Sequence, residues 1–326
     1  MVIAKTPFRI SFFGGGTDHP EFFRQYGGAV LATAIDKCIY HCVTKFHSDL
    51  FDYAIRIAYR KVECVNSVDE IMHAPFREVL RSTGIEKDIE ITLTADLPSY
   101  SGLGSSSSFV VGLLNALAAF QGRHLSKKDL SLGAIGLERD ILGETVGYQD
   151  QILAAYGGFN LVEFHGEGDF SVHRVPLSQA RLAELEASTA FYFTGITRCA
   201  SLVEKNKITN LDRITDTLRD MLGMVDRAVS LLANVTPLSA FGELLHENWQ
   251  AKRSLDVCVS TPEIDRMYAT ARAAGALGGK LLGAGGGGFM LFFVPPERRS
   301  AFRQAMNGYN EVPISFGSCG SSIIHS

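Results

Sequence analysis

The chain has 326 residues, enough for two domains and a substantial core. Apolar residues make up 46% and charged residues 20%, the balance of an ordinary globular chain rather than a disordered one. A net charge of −4, without any Lys/Arg run, supplies no positive field to recruit nucleic acid or an anionic membrane.

The opening "MVIAKTPFRISFFGGG" lacks the pattern of a signal peptide, and the apolar stretches 109–120 and 289–294 are too short to cross a bilayer. The six cysteines (38, 42, 64, 199, 258 and 319) form no C-x-x-C pair. They read as buried free thiols of a reducing compartment, so the cytoplasm is expected.

In chain order, a strand carrying Arg9 runs into Gly14–Gly16, then Thr17-Asp18-His19, with a helix beginning near Pro20. "YHCVTKF", "YAIRIAYR" and "DIEITLTADL" read as strands, the last with Ile89, Ile91 and Leu93 on one face. Helical patterns follow over 105–120 and 127–142, then a hairpin turning at Gly166 and Gly168. A composition shift near 176–186 divides the chain into domains 1–178 and 179–326. Beyond it, "TAFYFTG" is a strand, and helices are expected from about 210 to 233 and over 238–255. A third helix has Thr261 as N-cap, Pro262 at its first position and Gly275 past its end. "GGKLLGAGGGGFMLFFVPP" is then a glycine loop feeding a strand. This order argues for α+β halves rather than regular βαβ winding.

Three glycine segments carry the chemistry. In "PSYSGLGSSSS" the loop ends at a helix start, where unpaired N–H groups and partial positive charge suit a phosphate. Gly102 and Gly104 permit close approach, and Ser105 to Ser108 offer hydroxyls and a Mg²⁺ ligand; the structural alternative is a serine N-cap on a buried helix. No Lys-Ser/Thr follows, which excludes a Walker loop, and the context excludes a dinucleotide turn. "GAGGGG" matches G-x-G-x-x-G by letter, but it feeds a strand; its glycines call for positive φ or a backbone passing very close. In the first segment, Arg9 and Asp18 could face one polar substrate; taken locally, an exposed Arg and a helix-capping Asp are the plainer reading. Among the carboxylates of "LERDILGETVGYQDQ", Glu138 and Asp150 could serve a hard cation or simply pair with Arg139.

The three segments together resemble the motifs of the GHMP kinase superfamily: "PFRISFFGGGTD", "PSYSGLGSSSS" and "KLLGAGGGGF", in that order over nearly the whole chain. Within it, "VGYQDQ", "FYFTGITRCAS" and "ENWQAKRSLDVCVSTPEID" look like the D-glycero-D-manno-heptose 7-phosphate kinases. The resemblance implies an α+β, two-domain GHMP kinase fold: a ribosomal-protein-like N-terminal α/β domain, a ferredoxin-like C-terminal α+β domain, and an active site in the cleft between them. It implies ATP and Mg²⁺ as cofactors and a small sugar phosphate as acceptor, with no nucleic acid or membrane partner and room for a homodimer. The reaction would phosphorylate the anomeric hydroxyl of the heptose 7-phosphate, giving the 1,7-bisphosphate.

Carried over by residue, ATP would be held by Ser101, Gly102, Leu103, Gly104, Ser105, Ser106 and Ser107. Ser106 and Glu138 would hold Mg²⁺. Asp150 matches the catalytic base and Arg9 the basic residue beside it. Asp18 matches a sugar-hydroxyl contact, with Gly16 and Thr17 next to it. Arg198, with Thr194 and Gly195, is the candidate clamp for the substrate's own phosphate, ahead of Lys252, Arg253 and Lys5. Tyr100, where many members have Gly, and Ser107, where Ala is usual, are departures. The alternatives are a kinase of free galactose or fucose, and a non-catalytic sugar and nucleotide sensor.

Overall fold

The computed structural model describes residues 1–99, 101–166, 168–196, 211–234 and 236–326. Its first half contains β1 (Val2–Phe13), α1 (Pro20–Tyr26), β2 (Gly28–Lys45), β3 (Ile55–Ala58), β4 (Val62–Val65), α2 (Ala74–Thr83) and β5 (Ile89–Ala95). Next come α3 (Ser105–Phe120), α4 (Lys127–Gly136), α5 (Gln149–Tyr156), β6 (Phe159–Gly166), β7 (Asp169–Arg174) and α6 (Gln179–Ala187). The remainder comprises β8 (Thr189–Phe193), α7 (Leu211–Ala233), α8 (Ser239–Ser254), α9 (Pro262–Ala273), β9 (Gly278–Leu281), β10 (Phe289–Phe293), α10 (Arg299–Ala305), β11 (Asn310–Glu311) and β12 (Ser322–His325).

The large sheet runs β12-β1-β2-β5-β3-β4 and is antiparallel apart from the β3–β5 pair. The length of β2 lets one edge serve two neighbours: residues 28–33 pair with β6 and residues 39–45 with β5. The smaller sheet, β11-β8-β10-β9, is antiparallel throughout. This is the two-domain α+β architecture the resemblance implies. β12, absent from the sequence reading, returns to the large sheet beside β1, and its Ser/Gly-rich surroundings carry no strand alternation to announce it.

Two helices fix the site. The apolar run of α3 is buried from Ser107 through Leu114, between β1, β2 and its neighbouring helices. It passes so close at Gly112 that a Cβ there would meet Thr6 Oγ1 at 2.7 Å and His41 Nδ1 at 2.8 Å. In α7 the buried residues Ile214, Leu218, Met221, Val225, Ala228 and Leu232 recur every three or four positions, one stripe of an amphipathic helix.

Two expectations need correction. The helix predicted over 127–142 stops at Gly136, and Leu137–Ile141 form a wider π turn, closed by Leu142 N–H on Leu137 O at 2.9 Å. Gly133 and Gly136 weaken the α form just before it. The cysteines are not uniformly buried: Cys38 is, but Cys64 and Cys319 are exposed. Cys199 lies outside the described residues. No helix among the described residues is long and apolar enough to cross a membrane.

Candidate active site

The register of β1 with β2 slips between Pro7 and Arg9. At the slip the backbone N–H of Arg9 reaches Leu103 O, 3.1 Å away in the second glycine loop. The Arg9 side chain does more. Its Nε and Nη2 donate to Oδ1 and Oδ2 of Asp150 at 2.6 and 2.7 Å, and Nη1 donates to Gly102 O at 2.7 Å. Arg9 is only 4% exposed, so the local reading of it as a surface charge is overturned. Such a fork-to-carboxylate pair fixes the Asp150 plane as a single charge could not.

Gly104 is the N-cap of α3, in the left-handed region at φ +72°, and no side chain caps the helix. The first intrahelical bond runs from Ser108 N–H to Gly104 O at 2.9 Å, so the amides of Ser105, Ser106 and Ser107 precede it. The serine N-cap alternative is therefore wrong. A Cβ at Gly104 would lie 3.2 Å from both Arg9 Cγ and Asp150 Oδ2, which puts the helix start directly against the ion pair.

The third glycine segment supports this loop from behind. Phe289 N–H donates to Ser101 O at 3.2 Å, and a Cβ at Gly288 would stand 2.2 Å from that same oxygen. Cβ atoms at Gly102 and Gly283 would each come within 2.6 Å of the opposing backbone. Positive φ and close backbone approach, the two reasons foreseen for these glycines, both operate. Lys252 Nζ donates to Leu281 O and Gly283 O, and Lys280 Nζ to Phe12 O.

The π turn aims Glu138 inward. Its Oε2 accepts from Ser107 Oγ at 2.7 Å and Gln151 Nε2 at 2.5 Å, while Oε1 is buried with no hydrogen-bond partner. Burial pushes the Glu138 carboxyl up to about 7, against the hydrogen bonds from Ser107, Gln151 and Ser106. An unpartnered carboxylate oxygen beside serine hydroxyls is a donor set that suits a hard divalent cation. Ser106 is exposed and Ser107 buried, so the two serines present themselves differently. Arg139 joins neither carboxylate; it pairs with Glu21 at 2.6 Å and donates to Val146 O.

Asp18 is 2% exposed, and His19 occupies the N-cap of α1. Its Oδ1 accepts from Gly16 N–H at 3.0 Å and its Oδ2 from Gln149 N–H at 3.3 Å. Thr17 is fully buried, its hydroxyl between Gly14 O and Ala29 O. Thr194 Oγ1 donates to Gly288 O at 2.8 Å, and Thr194 and Gly195 line a cavity of about 240 Å³ with Ile196, Glu263 and Arg266. Tyr100 and Arg198 lie outside the described residues. Of the lesser clamp candidates, Arg253 is engaged with Asp265 at 2.9 Å. The sequence offers Gly147 only as a turn and gives no reason to single out Gln151 beyond its proximity to Asp150 in "GYQDQ".

Residues 69–158 match the family model of the GHMP kinases N terminal domain, and residues 229–311 that of the GHMP kinases C terminal. A D-glycero-alpha-D-manno-heptose 7-phosphate kinase of Campylobacter jejuni is 32% identical over 307 residues, covering 90% of each chain. A crystal structure of a D-glycero-D-manno-heptose 1-phosphate kinase from Bacteroides thetaiotaomicron superposes with a TM-score of 0.81 at 26% identity, covering both chains in full. A mevalonate kinase structure at 18% identity and TM-score 0.72 shares the fold. The chain belongs to the GHMP kinase family. It is a phosphotransferase that acts on a sugar or related alcohol, and kinases of this family take their phosphate from ATP.

Proposed function

We propose that this chain transfers the γ-phosphoryl group of ATP to the anomeric hydroxyl of D-glycero-D-manno-heptose 7-phosphate, giving the 1,7-bisphosphate. One observation carries the reading: the Arg9–Asp150 pair lies against the uncapped start of α3, with Gly104 packed on both residues. A carboxylate able to meet an acceptor hydroxyl and amides able to meet a phosphate are thus neighbours. The identity of the acceptor is taken from the Campylobacter relative.

On this reading the cleft between residues 1–178 and 179–326 holds both substrates. The amides of Ser105 to Ser107 and the loop Ser101–Gly104 bind the ATP phosphates. Ser106, Ser107 and Glu138 would hold Mg²⁺, which when bound offsets the charge of the phosphates. A Ser hydroxyl and one carboxylate would be this chain's share of such a site, the phosphate oxygens supplying further oxygen ligands. Phosphoryl transfer through a loose transition state needs positioning more than covalent help. Asp150 orients the acceptor hydroxyl and takes its proton late, and Arg9 keeps that carboxylate in place. Asp18, Gly16 and Thr17 shape the acceptor side. Arg198, with Thr194 and Gly195, clamps the 7-phosphate.

The test is ADP release against free sugars and sugar 7-, 6- and 1-phosphates, with and without Mg²⁺, the new phosphate being located by phosphorus NMR. The heptose 7-phosphate should give the highest kcat/KM and an anomeric phosphate, and omission of Mg²⁺ should abolish turnover. Equal turnover of a free sugar would refute the reading.

A further inference from the structure

The three glycines at 14–16 do not share one reason. Gly14 has φ +81°, and a Cβ there would strike Ala29 O at 1.9 Å; Gly16 has φ +101° and packs on Leu218 Cδ2. Gly15 has neither constraint. Its φ lies outside the left-handed region, and the nearest atoms to an added Cβ are Ser11 Oγ at 3.8 Å and Gln149 Nε2 at 4.0 Å, ordinary contacts. The backbone would accept a side chain, so the absence of one leaves room.

That room is lined by polar side-chain atoms, one of them unsatisfied. Ser11 Oγ is buried without a hydrogen-bond partner, on a residue 5% exposed, and Gln149 Oε1 is likewise buried and unpartnered. Buried hydroxyls are nearly always paired, so the orphan Ser11 Oγ beside this gap, with Gln149 Nε2 across from it, calls for an explanation. Ser11 follows Arg9 by two residues on β1 and so shares its face; Gln149 immediately precedes Asp150 in α5. The gap is therefore flanked by chain neighbours of both members of the Arg9–Asp150 pair.

We infer that the space before Gly15 is a subsite that reads an acceptor hydroxyl, with Ser11 Oγ and the Gln149 side-chain amide as its hydrogen-bond partners. It takes a hydroxyl-bearing carbon near the reacting one: the hydroxyl can accept from Gln149 Nε2 and donate to Ser11 Oγ. A side chain at position 15 would occupy that carbon's place. This deepens the proposed function and rests on it.

Steady-state kinetics of wild type, Gly15→Val, Ser11→Ala and Gln149→Leu test it, using the acceptor that wild type turns over best among heptose 7-phosphate and the other sugar phosphates and sugars. Acceptor KM should rise about 10-fold or more in Gly15→Val and roughly 5-fold in Ser11→Ala, with KM for ATP within about twofold of wild type. A deoxy analogue lacking the read hydroxyl should bind wild type more weakly than the parent sugar, but Ser11→Ala equally. Ser11→Ala removes one oxygen and keeps the test open should Gly15→Val fail to fold. Unchanged acceptor KM in all three variants, or an equal rise in KM for ATP, overturns the subsite while leaving the kinase reading intact. A wild-type protein inactive on the whole panel overturns the kinase reading itself.

Discussion

The carboxylate of Asp18 occupies the place where Gly147 would carry a side chain: an added Cβ would stand 1.9 Å from Oδ2 and 2.5 Å from Cγ. From there Asp18 accepts the N–H groups of Gln149 on its side chain and Tyr148 on its backbone, which ties the first turn of α5 to the first glycine loop. Asp150 is the next residue. Gly147→Ala should cost about 1–3 kcal/mol of stability through overpacking. It should also lower kcat more than it changes KM for ATP. Urea unfolding and initial rates check both, and a folded variant with wild-type kcat would show that the Asp18 contact does not set Asp150.

Replacing Asp150 by Asn keeps the shape and removes the proton acceptor. We expect a loss of about 10²–10⁴-fold in kcat, with nucleotide affinity by calorimetry little changed. Arg9→Lys cannot form the fork seen at 2.6 and 2.7 Å and should fall between that variant and wild type. Turnover near normal in Asp150→Asn would assign the proton to another group.

Gly288→Ala tests the contact between loops. Its φ of +101° disfavours any side chain, and the Cβ would press on Ser101 O. Roughly 1–3 kcal/mol should be lost in unfolding. ATP affinity should fall with it, since Ser101 begins the loop beneath α3. An unfolding midpoint lowered without any change in ATP affinity would mean the loop keeps its shape unaided.

His41 predicts a pH dependence of stability. It is wholly buried, neither ring nitrogen has a partner, and burial lowers it to about 3 from the ordinary 6.5. Because the folded value lies below the unfolded one, the stabilisation is complete above pH 6.5 and is lost as pH falls from there toward 3. The loss between pH 7 and pH 5 should be roughly 2 kcal/mol from this residue alone. Urea unfolding at the two pH values, compared with His41→Leu, reads it: the variant should show a correspondingly smaller difference.

What the sequence made legible was what local residues determine. The start of α9 follows from Thr261 and Pro262, and Thr261 Oγ1 does accept from Ile264 N–H. The bounds of α3 follow from the glycine before it and the apolar run within it. What stayed hidden depended on distant partners. Nothing near Arg9 says that a residue 141 positions away will bury it. Nothing near Asp18 says that its Oδ2 is taken by Gln149, 131 positions away, and the π turn at Glu138 is masked by a continuous helical pattern. The family resemblance, not periodicity, brought Arg9 and Asp150 to attention together.

The fit of Gly102 against Leu282 and Gly283, and of Ser101 against Gly288, is main chain on main chain. The curvature of the phosphate-binding segment is therefore moulded largely by backbone from a distant part of the sequence, with the Arg9 side chain on Gly102 O as an added tie. A fragment ending before the smaller sheet would retain every serine and glycine of that segment and still lack the surface that shapes it.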